Sequence, residues 1–357
     1  MKWIVVTILL FAFLAAGFLF LSQPQNKKDS QGKNLTPSIT LRQRIQAEGP
    51  KEEYLLIPYW TLDPGVSQVP YDKLIYFGIA VDRNGIEVNE QGHKKIKRFT
   101  KNVSGKSTYL ILRMLNNDTN QVILNDPFSQ EKIMNETISI AKEYNFSGII
   151  LDFETQGLPF ETLVSSITLF HDSFSKKAHL QKLSFGTLLY GDTFYRVRPY
   201  DVSSISKNVD RVYVMAYDFS KAKGDPGPNF PLNGVKTYGY DFKSMVSDFV
   251  KAVQKDKLTI IFGMYGYDWN VDEKGRGRGL AESKSTLAFE KFMTECVSQD
   301  SCSVEADQQS EETKITYTQE SQKHVIWFEN HDSVTAKKEF LNSVGVRSVG
   351  YWAYSYF

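Results

Sequence analysis

Apolar segments of strand length alternate with amphipathic segments of helical length from residue 54 to the end of the chain. The apolar segments are rich in β-branched and aromatic residues, which is typical of buried strands. Helical patterns occupy most of the gaps, and strands separated by helices favour parallel pairing through β-α-β units. The predicted strands are 54–60, 73–82, 108–115, 148–154, 183–190, 211–219, 258–268 and 348–357.

Eight such strands in about 300 residues predict an α/β fold of the (β/α)8 TIM-barrel class. The alternative is a doubly wound open sheet, which usually carries a glycine-rich phosphate loop after its first strand. Here the segment TLDPGVSQVP follows the first strand, so the barrel is favoured. Two further β-like segments, 313–318 and 323–329, predict a small insertion hairpin between strands seven and eight, beside the barrel mouth.

The N-terminal region has a different pattern. An uncharged apolar stretch from Trp3 to Leu21 approaches the length that spans a bilayer. It predicts a transmembrane signal anchor over residues 1–22, with a cleaved signal peptide as the alternative, and either one predicts export of the remainder. Residues 23–53 are polar and charged and predict a flexible tether, which leaves residues 54–357 as the folded domain.

Composition and charge narrow the classes of partner. The 357 residues are 41% hydrophobic, enough for one large core, and their net charge of +1 provides no basic field for nucleic acid. Cys296 and Cys302 predict a small disulfide loop in an exported protein, or else two unpaired thiols. No matching Cys or His pair lies nearby, so no metal site is predicted, and no motif predicts a cofactor.

Two acidic residues end the predicted strand GIILDFE at 148–154. Side chains alternate along a strand, so Ile150, Asp152 and Glu154 lie on one face. Two carboxylates on one face, at the end of an apolar strand, suit acid–base chemistry on a substrate held above the barrel. The alternative is a strand that simply continues into an acidic turn.

Barrel active sites lie at the carboxyl ends of the strands, which here carry many aromatic and acidic residues. Aromatic faces stack on sugar rings and carboxylic acids protonate glycosidic oxygens, so this predicted cup indicates a carbohydrate site. A Rossmann loop, a P-loop, a serine nucleophile elbow and an HExxH motif are absent from the sequence. The predicted substrate-binding residues are Tyr59, Trp60, Met215, Asp218, Tyr265, Asp268, Trp269 and Trp352, with Arg113, Tyr190, Asp192 and Tyr267 at the same strand ends.

The segment GIILDFE resembles the Asp-Gly-x-Asp-x-Asp-x-Glu strand of glycoside hydrolase family 18, the chitinase-like enzymes. VMAYDF is similar to the Met-x-Tyr-Asp strand of that family. GMYGYDW, HVIWFEN and SVGYWAYSY are similar to its spore-cortex and peptidoglycan-lytic branch. The resemblance runs in the same order from about residue 54 to the C-terminus.

The resemblance implies substrate-assisted retaining hydrolysis of β-linked N-acetylglucosamine glycans, either peptidoglycan or chitin. Glu154 would protonate the leaving oxygen and later activate water. Asp152 would stabilise the oxazolinium intermediate formed by the substrate's 2-acetamido group, and Tyr217 would orient that group. Trp352 would form the floor beneath the reacting sugar.

The sequence departs from the family motif at two acids, which correspond here to Ser147 and Ile150. Asp152 therefore lacks the deeper acid that would share a proton with it. Two alternatives from other classes follow, a non-catalytic sugar-binding barrel and a structural envelope protein. Retention of Asp152 and Glu154 favours the enzyme, whereas loss of the deeper acid favours the sugar-binding barrel.

Overall fold

The computed structural model describes residues 50–103 and 105–357. Its strands are β1 (Glu52–Pro58), β2 (Lys73–Asp82), β3 (Gly85–Ile86), β4 (Ser107–Met114), β5 (Gly148–Phe153), β6 (Ser184–Tyr190), β7 (Arg211–Ala216), β8 (Leu258–Gly263), β9 (Tyr265–Val271), β10 (Glu282–Ser285), β11 (Cys302–Ala306), β12 (Thr313–Gln319), β13 (Gln322–Phe328) and β14 (Ser348–Trp352). Its α-helices are α1 (Gln91–Asn102), α2 (Asn117–Leu124), α3 (Pro127–Glu143), α4 (Glu161–Leu180), α5 (Val202–Asn208), α6 (Val235–Tyr238), α7 (Phe242–Ala252), α8 (Thr286–Cys296) and α9 (His331–Val344).

Eight of the strands form a closed parallel barrel in the order β1, β2, β4, β5, β6, β7, β8 and β14. The barrel closes because β14 pairs in parallel with β1. A 3-10 helix at Pro64–Gln68 follows β1, and α-helices lie between the other successive barrel strands, as β-α units require. The predicted (β/α)8 fold is confirmed.

Two apolar layers hold the barrel together, and β5 contributes to both. Ile149, Leu151 and Phe153 pack in the outer layer, which contains helix residues such as Phe170. Ile150 points the other way and belongs to the cluster inside the barrel. This alternation follows from the pleat of the strand and directs the next inward position, residue 152, toward the barrel mouth.

The prediction of a single strand over 258–268 is wrong, because the chain changes sheets at Met264. β8 ends one residue earlier, and the backbone N–H of Met264 donates to the carbonyl of Trp352 at 2.6 Å. Tyr265 then begins β9, which pairs with β13 outside the barrel. The residues on both sides of Met264 are mostly apolar, so the hydrophobic pattern does not mark the boundary between β8 and β9.

The predicted insertion hairpin is present as β12 and β13, within a larger antiparallel sheet of order β10-β9-β13-β12-β11. Helix α8 packs on this sheet through Phe289, which clusters with Ile315 and Ile326. The structure joins Cys296 at the end of α8 to Cys302 at the start of β11 in a disulfide, with their Cα atoms 5.5 Å apart.

The predicted anchor at 1–22 and most of the predicted tether lie outside the described residues. β1 begins at Glu52, slightly before the predicted start of the folded domain, because its pairing with β14 begins there, opposite Ser348. The Glu52 side chain also forms ion pairs with Lys73 and Arg211. In the described ranges, no helix combines the length and apolar character needed to cross a membrane.

A buried ionic network joins the insertion to the barrel. Lys337 of α9 donates to Glu312 at 3.0 Å and to Glu329 at 2.5 Å, and all three side chains are fully buried. Glu312 also accepts hydrogen bonds from the backbone N–H groups of Asn229 and Phe230 at 2.6 and 2.8 Å. Burial raises the pKa of Glu329 to about 7, so the paired lysine is needed to stabilise its charge.

We expect Lys337→Met to lower the free energy of unfolding by about 3–5 kcal/mol, because it leaves buried carboxylates without a cation. Lys338→Met is the matched control, since Lys338 is partly exposed and its pair with Glu53, at 3.0 Å, lies near the surface. Such pairs contribute about 0–1 kcal/mol. Urea unfolding followed by circular dichroism measures both values, and equal losses in the two variants would contradict this role of the network.

Candidate active site

Asp152 and Glu154 lie at the carboxyl end of β5, where the inward face of the strand reaches the barrel mouth. Asp152 is buried, one inward position above Ile150. Glu154 directly follows the last strand residue, Phe153, and is half-buried. The alternation of β5 therefore brings both predicted acids to the mouth.

Hydrogen bonds fix the backbone on both sides of Glu154. Its N–H donates to the carbonyl of Met114 at 2.8 Å, and its carbonyl accepts from the Asn120 side-chain amide at 2.7 Å. The N–H of Thr155 donates to the Tyr200 hydroxyl at 3.1 Å. The main chain that carries the Glu154 carboxyl group is thus held by β4, by α2 and by the segment after β6.

The environment of Glu154 suits a general acid. Burial raises its pKa above the ordinary value, while the Tyr190 hydrogen bond and the charges of Arg198 and Lys221 oppose that rise without cancelling it. The Tyr190 hydroxyl donates to Oε2 of Glu154 at 2.6 Å. A raised pKa keeps more of the acid protonated near neutral pH, where a proton donor is useful.

Asp152 is the more strongly perturbed member of the pair. Burial and then the charge of Glu154 raise its pKa well above the ordinary value, and Arg113, its register partner on β4, opposes the rise. Its Oδ1 is buried and has no hydrogen-bond partner among the described residues. Leaving such an oxygen unpaired costs free energy, so a substrate N–H that reaches it would gain a hydrogen bond.

An aromatic cluster adjoins the two acids. The rings of Tyr217 and Trp352 stack with centroids 6.4 Å apart, and Trp352 also lies 4.8 Å from Phe77 and 6.0 Å from Trp60. Trp60 is 47% exposed and therefore open to a ligand. Burial and then the charge of Asp152 raise the pKa of Tyr217 well above its ordinary value, so its hydroxyl stays a hydrogen-bond donor.

Asp218, the residue after Tyr217, is held from two sides. Its carboxylate accepts hydrogen bonds from the hydroxyls of Tyr265 and Tyr267, the latter at 2.6 Å. Its backbone has a left-handed φ of 57°, and its N–H donates to the Asn229 side chain at 2.7 Å. Sequence analysis did not identify Asn229, which connects this loop to the buried network described above.

Two of the predicted binding residues, Asp268 and Trp269, are not brought to this site, because they lie farther along β9 than Tyr265 and Tyr267 and pack within the insertion. Asp268 is buried, accepts a hydrogen bond from the Tyr317 hydroxyl at 2.6 Å, and lies 3.0 Å from Nδ1 of His324. Trp269 is 1% exposed and packs in an apolar cluster of the insertion with Trp327. Neither side chain faces the cavity beside the acids.

The remaining predicted residues lie around the mouth. Arg113 stacks over the Tyr59 ring, 5.2 Å from its centroid, and donates to Glu90 at 2.7 Å and to the carbonyl of Gly78 at 3.1 Å. Met215 is nearly buried and contributes to the cavity wall. The Arg113 side chain, which lies beside Asp152, is therefore held in place by the Tyr59 ring, by Glu90 and by the carbonyl of Gly78.

A cavity of about 380 Å³ opens beside Glu154. Its wall contains several predicted residues, namely Glu154, Tyr190, Asp192, Met215, Tyr217 and Asp218. It also contains residues that sequence analysis did not identify, namely Gln156, Gly191, Arg196, Arg198 and Lys221. Arg196, Arg198 and Lys221 follow β6 and β7, so their position after the carboxyl ends of two barrel strands is the sequence feature that could have identified them.

Across the described ranges, no cluster of three or more His, Cys, Asp or Glu residues could hold a metal ion.

The family model described as "Glycosyl hydrolases family 18" matches residues 54–356, which is most of the chain. The chain belongs to this family. The family predicted from the strand motifs is confirmed, and membership supports glycosidase activity.

Curated relatives include the uncharacterized glycosylase YvbX and a cortical fragment-lytic enzyme, both of Bacillus subtilis and both 23% identical, over 234 and 257 residues. The matches cover 65% and 69% of this chain but only 64% and 55% of those proteins. The chain thus spans less than two thirds of their length. A class V chitinase of Arabidopsis thaliana is 29% identical over 41% of each chain.

Solved structures show the same fold. The spore cortex-lytic enzyme SleL of Bacillus cereus superposes with a TM-score of 0.71 at 18% identity, covering 86% of this chain and 71% of that one. A class V chitinase from Nicotiana tobaccum superposes with a TM-score of 0.68 at 16% identity, covering 86% and 94%. At these identities the likeness establishes the fold alone.

We expect Tyr190→Phe to raise the pKa of Glu154 further, because it removes a hydrogen bond that stabilises the carboxylate. Tyr195→Phe is the control, since Tyr195 lies on the loop that follows β6 and makes no hydrogen bond to Glu154. Carbon-13 NMR titration of the glutamate carboxyl groups measures the change. A Glu154 pKa that falls, or that moves equally in both variants, would refute this assignment.

Proposed function

We propose that the protein hydrolyses β-linked N-acetylglucosamine-containing glycans, with Glu154 as general acid and base. The observation that carries the proposal is the buried pair at the end of β5. Its two carboxyl groups both have raised pKa values, and Oδ1 of Asp152 lacks a partner. Family membership supports the same reaction class.

In the first step, Glu154 transfers its proton to the glycosidic oxygen. The bond between the anomeric carbon and that oxygen breaks, and its electron pair goes to the leaving oxygen. The carbonyl oxygen of the substrate's 2-acetamido group bonds to the anomeric carbon, which gives a cyclic oxazolinium ion. Asp152 accepts a hydrogen bond from the acetamido N–H, and the Tyr217 hydroxyl donates to the acetamido oxygen.

In the second step, water attacks the anomeric carbon and the Glu154 carboxylate takes its proton. The bond to the acetamido oxygen opens and restores that group. Two successive inversions at one carbon retain its configuration. Because the acetamido oxygen is the nucleophile of the first step, the enzyme needs no nucleophile of its own. The first step needs protonated Glu154 and the second needs its carboxylate, so a pKa near the working pH serves both.

The aromatic cluster supports the choice of a glycan. Trp352 lies close to Tyr217 and Trp60 remains exposed, so both can stack on apolar sugar faces. Peptidoglycan and chitin are both candidates, because relatives include a cortical fragment-lytic enzyme and a class V chitinase.

Export and membrane attachment of the protein are supported only by the apolar segment 3–21, so both stay predictions.

A second candidate is a sugar-binding protein without catalysis. Ile150 supports it, because this apolar side chain cannot share a proton with Asp152. A protein of this kind would bind chitooligosaccharides and release no products, with or without Glu154.

We expect Glu154→Gln to reduce turnover about 10²–10⁴-fold while keeping the fold and glycan binding, because an amide cannot donate the proton. Glu161→Gln, the same change at an exposed residue at the start of α4, is the matched control. Chromatography of products from chitooligosaccharides and from purified peptidoglycan measures turnover. The same turnover in wild type and Glu154→Gln would exclude the proposed acid.

A further inference from the structure

One side of the cavity beside Glu154 is cationic. Arg196, Arg198 and Lys221 all contribute to its wall, and we call these three residues the cationic wall. Arg196 and Arg198 belong to the loop after β6, and Lys221 follows β7. The same wall also holds three acids, Glu154, Asp192 and Asp218, so its net charge depends on whether Glu154 is protonated.

A single buried carboxylate organises the two arginines. Asp192 is 5% exposed, and its Oδ1 accepts from Nε and Nη2 of Arg198 at 3.1 and 2.7 Å. Its Oδ2 lies 3.1 Å from Nη1 of Arg196. One negative charge thus positions two positive ones, which leaves the group with a surplus.

The three cations differ in their freedom to bind a ligand. Arg198 is 13% exposed and its guanidinium lies 3.8 Å from the centre of the Tyr190 ring, so it is fixed. Arg196 is 38% exposed and also donates to the carbonyl of Phe219 at 3.1 Å. Lys221 is exposed and forms no ion pair with another residue that the structure describes. Lys221 and the exposed part of Arg196 can therefore bind an additional anion.

The remaining acids in the cavity, Asp218 and Glu154, offset this surplus only in part while Glu154 is protonated. Asp218 accepts hydrogen bonds from the neutral hydroxyls of Tyr265 and Tyr267, which leave its negative charge in place. Glu154 must be protonated to act as an acid, so it carries no charge at the start of the reaction. While Glu154 is protonated, the three cations outnumber the two remaining acids, Asp192 and Asp218, so the lining keeps a net positive charge. A neutral glycan has no negative group that could pair with this positive charge.

We propose that the cationic wall binds a carboxylate carried by the glycan, close to the glycosidic bond that Glu154 protonates. This inference rests on the proposed function and specifies its substrate class as an acidic N-acetylglucosamine-containing glycan. In peptidoglycan the carboxylate has two sources, the lactyl ether of N-acetylmuramic acid and the acidic groups of the attached peptides. Both offer two oxygens to the guanidinium and ammonium donors.

The test compares kcat/KM on glycan strands with free carboxylates and on the same strands after carbodiimide amidation, which removes the charge and keeps the sugars. We expect wild type to prefer the free carboxylates about tenfold and Lys221→Met to reduce this preference about fivefold. We expect Lys221→Arg to retain it, since the charge is kept. The preference should weaken at high salt, because the wall is open to solvent.

Lys223→Met is the matched control, because Lys223 lies on the same loop, is exposed and does not line the cavity. It should keep the wild-type preference. Strands stripped of peptides by an amidase expose lactyl carboxylates, so a preference that survives there identifies the lactyl group. A preference seen only on peptide-bearing strands identifies the peptide carboxylates.

Equal kcat/KM on free and amidated strands in wild type would overturn the proposal, as would an unchanged preference in Lys221→Met. Chitooligosaccharides separate this failure from failure of the proposed function. If the cationic wall has no such role, wild type still hydrolyses them in a Glu154-dependent way. If the glycosidase assignment is wrong, no glycan is hydrolysed in that way.

Discussion

The carboxyl groups of Asp152, which is buried, and Glu154, which is half-buried, are neighbours at the end of β5. The surrounding residues of the barrel mouth determine how easily these two groups ionise. Burial raises the pKa of both groups, and the charge of Glu154 raises the pKa of Asp152 further. The Tyr190 hydrogen bond stabilises the charged form of Glu154 and so opposes the rise of its pKa. Asp152 keeps one oxygen without a partner, which suits a substrate N–H.

The insertion sheet contributes to the same mouth through the protein interior. Lys337 neutralises Glu312, and Glu312 binds the backbone of Asn229. The N–H of Asp218 in turn donates to the Asn229 side chain, and the Asp218 carboxylate accepts a hydrogen bond from Tyr265 at the start of the insertion. The insertion is thereby fixed to the loop after β7 by buried polar contacts as well as by packing. Each of these groups is stabilised only while its partners are in place.

Much of the barrel and the centre of the site could be predicted from the sequence, because strand periodicity is local. The apolar segment ending in Asp152 and Glu154 fixes both their face and their end of the barrel. Trp269 was misplaced, since the apolar pattern continues through the change of sheet after Gly263. Asn229 and Glu312 were not identified, because their bonds join positions 83 residues apart and leave no local pattern.

The central claim is that hydrolysis takes two displacements at the anomeric carbon, the first by the substrate's acetamido group held by Asp152, and not one direct attack by water. The stereochemistry of the first product tests it most directly. Proton NMR of a chitooligosaccharide digest, recorded before mutarotation, shows which anomer is released. The account predicts that the β-anomer appears first, because two inversions retain configuration. Initial release of the α-anomer would contradict it, since that outcome requires direct attack by water.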